Sequence, residues 1–65
     1  MTQYTAIKLA PRNAQKELAQ QRRNLQRLSN EYATTSSPDA VRRYMDYARL
    51  AIICAKRGYM LCIAD

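Results

Sequence analysis

The sequence predicts an all-α fold: an antiparallel two-helix hairpin that pairs with a second copy into a four-helix bundle, with short tails at its open end able to pair as strands. Three observations predict it. Two long segments carry apolar residues at alternating spacings of four and three, a short break at Thr34-Thr35-Ser36-Ser37 separates them, and the chain, 48% hydrophobic with one Gly and two Pro, is too apolar and too poor in breakers to be a disordered tail. A connection this short returns the second helix antiparallel to the first. The length leaves room for a single domain, residues 1–65, and a chain this small buries only about 60% of the surface its unfolded form exposes, so a partner surface is expected to add stability.

Residues 1–10 read as an extended tail, because Thr2 to Leu9, with Tyr4, Thr5 and Ile7, has strand-like composition. The first helix is expected over 11–33, where Ala14, Leu18, Gln21, Leu25, Leu28 and Tyr32 form the apolar seam of an amphipathic helix. Gln21 is the polar member of that seam, and an amide at such a position fixes register or partner number more often than it does chemistry.

Residues 34–37 form the turn, and the second helix is expected over 38–57. Ser37 is placed to accept from the free amides of the next turn, Pro38 suits the first helical position, and Asp39 favours the positive end of the helix dipole. Val41, Met45, Ala48, Ile52 and Ala55 repeat the four-three spacing, and Lys56-Arg57-Gly58 is a helix-ending signature. Residues 58–65 are a C-terminal tail in which Tyr59 to Ile63 are apolar all round. They read either as a strand or as a longer second helix; as a strand, they are able to pair antiparallel with the N-terminal tail, within one chain or across a dimer.

At 100° per residue the apolar side chains of the second helix cover about half of the wheel, more than one neighbouring helix covers. Ala48, Ala51 and Ala55 form a small-residue stripe with Tyr44, Tyr47 and Cys54 beside it, and these six are the expected dimer or partner interface. The competing expectation is a monomer whose own tails fold over that face.

The net charge of +6 is uneven. Residues 1–37 hold six cations and two acids, or +4, and residues 38–65 hold five and three, or +2. In the second helix Asp39 and Asp46 stand at helix-neighbour spacings from Arg42, Arg43 and Arg49. In the first, Arg12, Arg23, Lys16 and Arg27 fall within 60° of one another, opposite Leu18 and Leu25, over about 22 Å of helix. Gln20, Gln26 and Asn30 accompany them instead of the alternating acids of an ordinary solvated face. Arg dominates, and its planar fork suits phosphate oxygens. The expectation is a non-enzymatic regulatory protein binding nucleic acid, RNA or a duplex backbone, through Arg12, Lys16, Arg23 and Arg27, with Lys8 and Arg22 as secondary cations. The alternative is a protein-binding inhibitor or adaptor using the face of Tyr44 and Tyr47, where aromatics interleave with arginines.

Catalysis has little to draw on. There is no His, no glycine-rich phosphate loop, no Ser or Cys beside a base, and Glu17 and Glu31 lie far apart. Cys54 and Cys62 offer no metal-binding spacing and read as ordinary thiols, so neither metal nor cofactor is expected. The longest apolar run, Leu50 to Ala55, is far short of a membrane span, and the expected location is the cytoplasm.

Overall fold

The computed structural model describes residues 3–64, so the outermost residues of both expected tails, 1–2 and 65, lie outside the described residues. Along the chain run β1 (Gln3–Lys8), α1 (Pro11–Tyr32), α2 (Pro38–Lys56) and β2 (Tyr59–Ala64). The two helices pack together as an antiparallel hairpin, and the tails pair with each other as a two-stranded antiparallel sheet within one chain. The strand reading of residues 59–64 is therefore the one realised, and the fold is a helical hairpin plus a small sheet rather than helices alone.

Helix boundaries follow local chemistry. Pro11 and Pro38 each occupy the first turn of a helix, where a missing N–H leaves no bond unmade. Ser37 is the N-cap residue of α2, but its hydroxyl makes no capping bond; its own N–H donates to Thr35 Oγ1 at 3.0 Å instead. The end of α1 closes when the Thr34 and Thr35 amides both donate to the Glu31 carbonyl, at 3.0 and 2.8 Å. At the end of α2, the Gly58 N–H donates to the Ala55 carbonyl at 3.0 Å and Gly58 takes φ +88°, a left-handed conformation that costs glycine little. That reversal sends β2 back along the helix it has just left.

The strands pair Lys8 with Tyr59, Ala6 with Leu61 and Tyr4 with Ile63, so these six side chains share one face. That face looks at α2. Leu61 is buried, and the rings of Tyr4 and Tyr47 stack with centroids 6.2 Å apart. β2 rests on α2 and touches α1, whereas β1 meets the helices mainly through side chains such as Tyr4.

The core is small. Leu28, Val41 and Ala48 form its centre, with Leu25 and Met45 packed against them; Ala14, Ala51, Ala55 and Leu61 are also buried. Among the described residues no large side chain is fully buried. Gln21, the polar seam residue, donates to Glu17 Oε1 at 2.8 Å and accepts from Asn24 at 3.5 Å, so its amide is satisfied along its own helix.

Pairing of the tails changes what the small-residue stripe does. Ala48, Ala51 and Ala55 retain 2%, 1% and 4% of their surface, because α1 covers one side of α2 and the sheet the other. The face expected to await a second copy is thus occupied by the chain's own strands. A four-helix bundle closed over that stripe would have to displace the sheet.

Candidate nucleic-acid interface

The helix α1 meets α2 through Ala14, Leu25 and Leu28 and turns its opposite side outward. Arg12, Lys16, Arg23 and Arg27 are all exposed on that outward side, as are Gln20, Gln26 and Asn30. A 22-residue helix holds them in a fixed row, about 22 Å from Arg12 to Arg27 at 1.5 Å per residue. Arg12, Lys16 and Arg23 form no ion pair among the described residues. Arg27 donates to Glu31 Oε1 at 3.1 Å, one turn further on, which lowers the net charge at that end of the row. Arg23, Gln26, Arg27, Asn30, Glu31 and Thr34 border one shallow surface depression there.

The secondary cations fall elsewhere. Arg22 is exposed on the flank of α1. Lys8 ends β1 and lines a groove with Pro11, Gln15, Lys56, Arg57 and Tyr59, where the strand ends, the start of α1 and the end of α2 converge. Lys56 and Arg57, which in the sequence mark a helix end, thus join Lys8 in a second basic cluster. The convergence depends on the strands pairing, so spacing along the chain carries no sign of it.

On α2 the expected self-neutralisation is realised at one place: Arg49 donates to Asp46 at 3.3 Å. The six interface residues separate into two groups. Ala48, Ala51 and Ala55 are core, Cys54 is half-buried, and Tyr47 donates its hydroxyl to the Leu61 carbonyl at 2.9 Å. Burial raises the Tyr47 pKa above the usual phenol value, and the neighbouring Cys62, Glu17, Tyr4 and Cys54 push it the same way. Tyr44 stands apart, 63% exposed near the far end of the sheet.

Among the described residues no three His, Cys, Asp or Glu side chains gather as a metal site would require, and no helix is long and apolar enough to cross a membrane. Both cysteines are free and half-buried. Compared with protein-family models, curated proteins and solved structures, the chain matches none.

Proposed function

We propose that this chain is a small cytoplasmic regulatory protein that acts by binding, not by catalysis, and that it binds RNA or a nucleic-acid duplex along the phosphate backbone, as a homodimer. The observation that carries the reading is the exposed face of α1: four cations in a rigid row, of which three have no acidic partner among the described residues. Backbone binding of this kind gains chiefly from counterion release and needs no base-reading motif. Pairing two copies doubles the row.

The test replaces Lys16, Arg23 and Arg27 together with Gln and follows fluorescence anisotropy of a labelled RNA hairpin and a labelled DNA duplex. The wild type is expected to bind, and with the three unpaired cations of each of two copies neutralising about six phosphates, its affinity falls on the order of 1,000-fold between about 50 and 200 mM salt. The triple variant loses binding with its melting temperature nearly unchanged, since these side chains face solvent. A wild type that binds neither probe at about 50 mM salt refutes the proposal.

A second reading, an inhibitor or adaptor docking on a larger protein, is favoured by the exposure of Tyr44 beside Tyr4, Leu50 and Ile63. Tyr47 serves it less well, because its ring and hydroxyl are both engaged within the chain.

A further inference from the structure

The two edges of the sheet are not equivalent. The Leu9 N–H donates to the Gly58 carbonyl at 2.8 Å, one step beyond the Lys8–Tyr59 pair. By the alternation of an antiparallel ladder, Ile7 and Thr5 then also point their amides and carbonyls at β2, while Tyr4, Ala6 and Lys8 point theirs outward. On β2, Leu61 is opposite Ala6 and so directs its carbonyl to the other edge, where the Tyr47 hydroxyl donates to it. The β2 edge thus lies over the helices with a donor supplied; the β1 edge has none among the described residues.

Every residue of β1 is exposed. The strand carries Tyr, Thr, Ala and Ile and no proline, so Lys8 at its end is the one protective feature its side chains offer against edge pairing. Its inner face is supported mainly where Tyr4 stacks on Tyr47. Tyr4 and Ile63 overhang one groove with Tyr44 and Leu50, and Ala6 and Tyr59 overhang another with Leu50 and Ile53. Tyr4, Tyr44, Ile53 and Ile63 are 48–63% exposed there.

The surface area agrees. A compact monomer of 7.5 kDa exposes about 4,250 Å², and this chain exposes 5099 Å². The excess of about 850 Å² is close to the roughly 800 Å² that each partner buries in a standard interface. The molecule measures 38 × 27 × 12 Å, with a radius of gyration of 12.5 Å against about 10.7 Å for a compact chain of this length. It is a slab with one bare edge.

The geometry points to a second copy of this chain as the occupant of that edge: β1 of each copy pairs antiparallel with β1 of the other about a two-fold axis at Ala6, making a four-stranded sheet. Ala6 then pairs with the second copy's Ala6, and Tyr4 with the second copy's Lys8, each pair exchanging both hydrogen bonds through the groups that now point outward. The grooves under the two β1 strands meet at the axis, so Leu50 and Ile53 are covered from across it. Because the contact is isologous and uses up the bare edge, assembly stops at a dimer. Pairing of the β1 edges uses none of Arg12, Lys16, Arg23 and Arg27, so the inference stands whether or not the chain binds nucleic acid.

The experiment is sedimentation equilibrium of the full chain at micromolar concentration, with hydrogen exchange on the same samples. The wild type is expected at twice the 7.5 kDa chain mass, with the Tyr4, Ala6 and Lys8 amides becoming more protected as concentration rises and the Ile7 and Leu9 amides protected throughout. Ala6→Pro removes an outward N–H and no bond of the internal ladder, and is expected to weaken the dimer at least roughly 100-fold while the far-UV spectrum is retained. If that variant fails to fold, the exchange pattern of the wild type decides. A monomeric wild type overturns the inference, including one that pairs only with a different protein. So does a dimer whose Tyr4, Ala6 and Lys8 amides exchange freely. A dimer that survives Ala6→Pro unchanged overturns it too.

Discussion

Removing one hydroxyl tests how the sheet is attached to the helices. In Tyr47→Phe the ring remains, so its stacking on Tyr4 at 6.2 Å is preserved, and the perturbation is confined to the 2.9 Å bond to the Leu61 carbonyl. A hydrogen bond of this kind contributes about 1 kcal/mol net, and Tyr47 is half-buried, so water replaces the lost donor only in part. In a domain this small, 1 kcal/mol moves the melting temperature by about 4–8 °C. The pH dependence supplies a second, independent readout. The Tyr47 pKa is raised in the folded chain, so above about pH 10 the native state holds more protons than the unfolded one. Stability from this group is complete below the unfolded-state pKa and is lost as pH rises through the higher folded-state value. The assay is thermal melting of wild type and Tyr47→Phe at one fixed protein concentration, at neutral pH and through the alkaline range. The wild type should melt several degrees higher at neutral pH, with the gap closing as the phenol ionises. Equal melting temperatures at neutral pH, or a gap that widens with pH, would show that the hydroxyl does not hold β2 to α2.

Two further substitutions test the turn and the basic face. Gly58→Ala should destabilise by about 1–2 kcal/mol through backbone strain alone, since φ is +88° and a Cβ there would meet nothing within 4 Å; urea titration checks it, and an unchanged midpoint would mean that the chain leaves α2 without a left-handed residue. Glu31→Gln frees Arg27 from its 3.1 Å ion pair, and should tighten binding of the RNA and duplex probes and steepen the salt dependence by about 0.9 in log–log slope for each copy bound; weaker binding would place Glu31 among the contacts.

How much was readable before folding varies by residue. Arg12, Lys16, Arg23 and Arg27 share a face because of helical spacing, a local property, and all four are exposed where the wheel puts them. The wheel also places Tyr44 amid the apolar arc of α2, yet it is the most exposed of the large apolar side chains. Spacing gives a direction around the helix but not what stands there, and at Tyr44 the sheet is at its end. Ser37 shows the same limit at short range: residue type marks it as the N-cap of α2, and it holds that position, but its hydroxyl makes no capping bond.

The sequence by itself determined the hairpin: two amphipathic segments, a four-residue turn between them, proline at each helix start and Gly58 at the stop. These rest on interactions within a few residues, where spacing along the chain is distance in space. Only the tertiary structure decided that the tails pair with each other, that Ala48, Ala51 and Ala55 are consumed inside one chain, and that Lys8 meets Lys56 and Arg57. Strand pairing joins residues more than fifty positions apart, and a strand's composition favours pairing without naming its partner. It is that pairing which leaves β1 as the exposed edge and moves the unfinished surface of the molecule from a helix face to a strand.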